Sequence, residues 1–445
     1  QMRRLLPPVV IAILVTIGLA TSACSSAGPS TSSGSSGASA SAGVGDSLGG
    51  DPALGVTVPD AFTSLSLTPV GRGTFPFLGT DGKYHVAYDL VILNTTPYPA
   101  TLDKLDVVDA AHPTKVIASY SGTNLVDPSC SYGNCNRLRY IYSGPVTDTT
   151  IPAHESRLMY VDFAFDSLAV APKTVLHHVY LTGKTNLTSK DLGPFDYLAT
   201  PYDISDGAPL VISPPLKGTN WVAFNGCCEP GFPHRNAILP ANGVIGNSQT
   251  FAIDWKRANN AGAFYTGDKT KNQSFVDYGE PVYAVADATV VGVLDNVDAN
   301  APGIQPTQDP ATAAKITLQN VDGNHVILDL GHGVWAMYAH FQRGSIKVKV
   351  GDKVKKGQEI ALLGNTGNAN ASHLHFQLMD GPNILTANGL PYVFDSFTYE
   401  GQVPLQQVLT ADNYLTGNFF SEKLATGQPR KDQRPLNLDI VDFPS

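Results

Sequence analysis

No part of this 445-residue chain sustains the 3.6-residue apolar period of a long helix; from about Val56 onward it is built of short apolar runs between turn signals. Residues 84–93 and 158–165 carry period-2 stretches rich in Val, Tyr, Leu and Phe, the pattern of half-buried antiparallel strands. With 42 Gly and 32 Pro, a helical bundle or coiled coil is excluded, and an all-β fold is expected. Ample length for a core and a spread of turns point to more than one β domain.

The formal net charge of −9, on a chain only 15% charged, argues against a nucleic-acid partner, which would need a basic face for phosphates. The one apolar run of note is N-terminal. Arg3 and Arg4 precede residues 5–20, which are interrupted by Pro7 and Pro8, and then come Thr21, Ser22, Ala23 and Cys24. This is the order of a secretory signal peptide, too short for a spanning helix. Small residues just before Cys24 resemble a bacterial lipobox, although Thr21 stands where Leu is usual. The resemblance implies cleavage before Cys24, lipidation of its thiol and a membrane-anchored lipoprotein at the cell envelope, with plain secretion as the alternative.

The expected organisation is a signal peptide over 1–23, then a lipidated cysteine with a Ser/Gly/Ala-rich tether over 24–52, which has nothing to bury. A β-sandwich accessory domain follows over 53–205 and a Pro-rich linker over 206–215. A second β domain spans 216–395, with strands near 249–255, 282–295, 315–318, 324–330, 333–341 and 372–379. Residues 396–445 read as an extension with few signals. Export makes Cys130, Cys135, Cys227 and Cys228 disulfide candidates. Cys130 and Cys135 flank a four-residue turn, and Cys227 and Cys228 are adjacent. A competing reading takes the latter two as zinc thiolates with His234. His177 and His178 alternate faces and read as structural.

Chemistry concentrates in the second domain. In His373-Leu374-His375, strand alternation puts both imidazoles and Gln377 on one face, with Leu374, Phe376 and Leu378 on the other. Upstream lie Tyr338-Ala339-His340-Phe341, a Gly351-Asp352 to Gly357-Gln358 turn and Gly364-Asn365-Thr366-Gly367. This order resembles the LytM/lysostaphin-type zinc endopeptidases. Residues 282–293 also resemble that family's Pro-Val-x-Ala strand, with Ala288 in place of the usual Gly.

The resemblance implies a compact β-sheet, barrel-sandwich-hybrid peptidase domain over 216–395. One zinc ion would be held by Asp254, His375 and an upstream histidine, with His340 and His373 catalytic. The family usually places that upstream histidine four residues before the aspartate, but position 250 is Thr. His234, twenty residues back, is the expected replacement, provided a hairpin over residues 241–247 returns it to Asp254. His325 and His332 are the other nearby histidines and are expected to face solvent. No His-Glu-x-x-His motif supplies a carboxylate base, so an imidazole must do so, either His340 or His373. The implied function is hydrolysis of peptidoglycan peptides by a monomeric enzyme. A catalytically inactive module that regulates other cell-wall enzymes is the alternative, and a lipoyl- or biotinyl-type hammerhead is disfavoured because no Met neighbours a Lys.

Overall fold

Alternation of apolar and polar residues produces strands Leu65–Val70 (β1), Tyr84–Asn94 (β2), Ala100–Asp109 (β3), His112–Ser121 (β4), Ser156–Phe165 (β5), Thr174–Lys184 (β6) and Asp191–Asp203 (β7). In the computed structural model, which describes residues 48–49, 52–59, 61–129, 135–142, 144–184, 191–204 and 207–445, these form two antiparallel sheets. One contains β1, β2 and β5 in that order, and the other runs β7-β6-β3-β4. Val86, Tyr88, Leu90 and Ile92 project from alternate positions of β2 into one core with Leu105 and Val107 of β3 and Val175 and Val179 of β6. Each such side chain, fully buried, contributes roughly 1.5–3 kcal/mol. The expected sandwich is present. His177 is buried and shares a hydrogen bond with the Tyr88 hydroxyl at 2.9 Å, whereas His178 reaches Asp196 on the opposite face.

A second sheet is built from Gly218–Phe224 (β8), Ile253–Arg257 (β9), Ala288–Leu294 (β10), Asn324–Gly331 (β11), Val334–Phe341 (β12), Leu374–Met379 (β13), Phe397–Gln402 (β14), Lys423–Arg430 (β15) and Asp439–Phe443 (β16). Among the described residues its order is β10-β11-β12-β13-β9-β8-β16-β14-β15, every pairing antiparallel, and it does not close into a barrel. Trp221, Ile253, Trp255, Tyr338, Leu374, Phe376 and Leu378 fill the core on one face. The opposite face of β9 and β13 is therefore free to carry polar groups.

Two features differ from the sequence reading. Residues 315–318 form turns rather than a strand, because Asn320 Oδ1 accepts from the Thr317 amide and draws the backbone into a local loop. Residues 396–445 are no appendage: β16 pairs with β8 and with β14, and so completes the sheet beside β9.

Residues 47–445 form one compact unit. Arg235 of the second half places Nη2 2.7 Å from Asp89 Oδ1 on β2, both buried, and Arg139 bonds the side chain of Asn236. Cys227 and Cys228 are joined as a vicinal disulfide, buried among Phe77, Ala87, Phe251 and Val393, which removes them as zinc thiolates. Cys135 is disulfide-bonded, while Cys130, the signal segment over 1–23, Cys24 and the tether as far as residue 47 lie outside the described residues. Among the described residues no helix is long and apolar enough to cross a membrane.

Candidate functional site

Asp254 and His375 sit directly opposite each other on β9 and β13, so their side chains emerge together on the face away from the core. His234 arrives from outside the sheet. Leu239–Ala241 pairs with Val244–Gly246 around Asn242 and Gly243, both at positive φ (51° and 78°), which makes a tight Asn-Gly hairpin. Asn247, just past that hairpin, donates to the His234 carbonyl at 3.1 Å and fixes the returning chain. His234 Nε2 thereby lies 3.3 Å from Asp254 Oδ1, and His375 Nδ1 lies 2.9 Å from the same oxygen. One donor atom from each of His234, Asp254 and His375 falls within 4.8 Å of the other two, close enough to share a metal ion.

The tautomers fit that reading. Backbone carbonyls only accept, so the contact of His234 Nδ1 with the Asn225 carbonyl, 2.8 Å, places its proton on Nδ1. His373 Nδ1 is bound in the same way to the Ala371 carbonyl at 2.9 Å, and its Nε2 stands 3.5 Å from Asp254 Oδ1. His375 Nε2 meets Gln377 Oε1 at 2.8 Å, which leaves its Nδ1 lone pair facing Asp254. Imidazole lone pairs thus converge on a carboxylate that itself only accepts. Such a cluster is repulsive unless a cation or proton sits among them. The donor set, two imidazoles and a carboxylate with outer-sphere partners in place, suits a divalent metal such as zinc.

His340, the penultimate residue of β12, has φ at 72°, and its ring stands beside that of His373, the ring centroids 4.6 Å apart. Its Nδ1 bonds the Thr366 carbonyl at 2.7 Å, so its Nε2 is also an acceptor. Burial and repulsion from His373 and His375 hold His340 well below the usual histidine range. Burial likewise brings His373 down to about 4, against the pull of Asp254. Both rings are neutral at pH 7.

These groups line a cleft of about 590 Å³ whose apolar wall includes Phe224, Phe264 and Phe275. The expected site residues His234, Asp254, His340, His373 and His375 are brought together there. His332 is exposed elsewhere, and His325 bonds the Gly323 carbonyl. Three neighbours escaped the sequence reading. Asn225, Lys256 and Asp322 also line the cleft. The Asn225-Gly226 pair at the end of a strand is a signal for a left-handed turn residue, and Asn225 has φ at 57°.

Residues 273–386 match Peptidase family M23, a span that contains His340, His373 and His375 but neither His234 nor Asp254. The chain carries an M23 peptidase domain. It is 42% identical over 57 residues to the peptidoglycan DD-endopeptidase ShyA of Vibrio cholerae, and 45% identical over 62 residues to endolysin 2638A of a Staphylococcus phage. Each alignment covers 13% of this chain and 13% of the relative, so the chain spans about an eighth of either relative's length. The catalytic domain of lysostaphin from Staphylococcus simulans aligns with 33% of this chain and 77% of that structure, at 25% identity and a TM-score of 0.19.

Proposed function

We propose that this M23 protein is a zinc-dependent endopeptidase that hydrolyses peptide bonds in peptidoglycan at the cell envelope. The observation that carries this reading is the convergence of His234, Asp254 and His375 beside two further neutral imidazoles, His340 and His373, in one cleft. His234, Asp254 and His375 would hold the metal. When bound, zinc supplies Lewis acidity, polarising the scissile carbonyl and acidifying the attacking water. His340 and His373 present Nε2 lone pairs to the cleft, so one can take a proton while the other, protonated in turn, donates to the departing amine or the developing oxyanion. The Thr366 and Ala371 carbonyls prevent either ring from flipping its tautomer. The aromatic wall excludes water from one side of the substrate.

The N-terminal residues support export and anchoring through lipid at Cys24, with the segment to residue 52 as a tether and the sandwich over 53–205 as an accessory domain that braces the His234 segment. The protein is read as a monomer. The test is metal stoichiometry of the purified protein together with mass spectrometry of peptidoglycan after incubation. One zinc per chain with cleaved cross-links supports the proposal; bound zinc with intact cross-links would favour an inactive regulatory module.

A further inference from the structure

Lys256 follows Asp254 by two positions on β9, so its side chain shares the face that carries the candidate centre. It is buried, lines the same cleft, and is the only lysine or arginine among the described residues that do so. Desolvating an ammonium is costly and is tolerated only where partners compensate. Here the compensation is incomplete. Nζ donates to the Ser372 carbonyl at 3.0 Å, and no carboxylate pairs with it among the described residues. The charges of Asp277 and Asp254 act on it only from beyond ion-pair distance. An ammonium has three N–H donors, and one is used.

We propose that Lys256 is a recognition site for a substrate carboxylate. The inference rests on the peptidase reading and deepens it: the preferred substrate is a peptide with a free carboxylate close to the scissile bond. Two residues along a strand span roughly 7 Å, which puts that carboxylate within one or two residues of the bond cut. A single ammonium matches a single negative charge, and Asp322 and Asp412 in the same cleft disfavour a multiply charged anion such as a phosphate monoester. The Ser372 carbonyl fixes the Lys256 head group directly upstream of His373, so the bound carboxylate would orient the peptide across both catalytic imidazoles.

Two measurements on the full-length protein in zinc-containing buffer decide the matter. In the first, N-acetylglycine and N-acetylglycinamide are titrated by calorimetry. The parent should bind the acid at least about 10-fold more tightly than the amide, and Lys256→Met should lose that preference with its zinc content unchanged. If Lys256→Met keeps the preference, the carboxylate is held by the metal and the proposal is overturned. In the second, muramidase-released peptidoglycan fragments are compared intact and after conversion of their free carboxyls to carboxamides. The parent should show a KM roughly 10-fold lower for the intact pool, and Lys256→Met or Lys256→Gln should bring the KM values of the two pools together. Equal losses on both pools would show a purely structural lysine. Should neither variant fold, a parent that does not distinguish acid from amide is enough to overturn the proposal. No cleavage of either pool by the parent would instead sink the peptidase reading, and the calorimetric comparison would still decide the role of Lys256.

Discussion

The Asn225 side-chain amide donates to Asp254 Oδ2 at 2.7 Å, while the Asn225 carbonyl accepts the Nδ1 proton of His234 at 2.8 Å. One residue thus orients both upstream members of the candidate centre, which are twenty positions apart in sequence. Outer partners of this kind typically change metal affinity about 10- to 100-fold when removed. Asn225→Ala should therefore weaken zinc binding by about that factor, measured by competition with a chromophoric chelator. Unchanged affinity would mean that the hairpin alone positions His234.

Metal binding and catalysis should separate among the histidines. His375→Ala removes a donor atom and should lose both zinc and activity. His340→Ala and His373→Ala should retain one zinc per chain and lose roughly 10²- to 10⁴-fold in turnover. The double variant should be little worse than either single one if the two rings act on one transition state. Zinc content and the rate of cross-link cleavage are read on the same preparations. Loss of zinc from His373→Ala would reverse the ligand order within His373-Leu374-His375.

Much of the site was legible because it follows strand alternation. With Leu374 and Phe376 in the core, His375 and Gln377 must share the other face, and Trp255 in the core turns Asp254 outward. His234 was legible only as a candidate, since its approach depends on a hairpin whose Asn242-Gly243 turn carries a local signal while its docking does not. Asn225 could not be assigned a role, because its contacts with His234 and Asp254 join positions nine and twenty-nine residues away in sequence. β14 to β16 were missed for a different reason. Lys423–Arg430 has no apolar alternation and is held by pairing with β14, a long-range contact that no window of sequence contains.

The buried pair Arg235–Asp89 ties the residue next to His234 to the sandwich. Truncating one partner strands a buried charge, which typically costs about 3–5 kcal/mol. Arg235→Met should lower stability by about that amount in urea titration and should also weaken zinc binding, because the His234 backbone loses its anchor. Arg235→Met combined with Asp89→Leu should recover much of the stability but not the metal affinity. Full recovery of both would show that the pair matters only for folding.

Chelation should be the simplest probe of the centre. A site with three protein ligands and an open position exchanges its metal readily, so a strong chelator should abolish activity and readdition of zinc should restore it. Without a cation the converging lone pairs of His234, Asp254 and His375 oppose folding, and a metal bound only by the folded state stabilises it, so chelation should also lower the thermal midpoint, and Asp254→Asn should remove that response. A midpoint that is indifferent to chelator in the parent would place the metal elsewhere.

Asp439 on β16 is buried, and its Oδ2 accepts from the Leu436 amide at 2.7 Å and from the Thr80 hydroxyl, which joins the final strand to the turn before β2. Burial pushes its carboxyl up to about 7, and the two hydrogen bonds only partly offset that. The folded protein therefore holds a proton on Asp439 over a range in which the unfolded chain, near the ordinary value of about 4, has released it. Stability from this group is fully present below pH 4, falls as pH rises from about 4 to 7, and is constant above. Asp277, also raised to about 7 by burial, acts in the same direction, so the total profile does not isolate Asp439. The difference between the parent and Asp439→Asn does. Asn is neutral throughout and can still accept from Leu436 and Thr80, so the variant should match the parent near pH 4. It should then gain on the parent steadily up to pH 7, by at most roughly 4 kcal/mol at about 1.4 kcal/mol per pH unit. Urea titrations of both proteins at pH 4, 5.5, 7 and 8 give the curve. A difference that does not vary with pH would show that Asp439 is ionised in the folded protein.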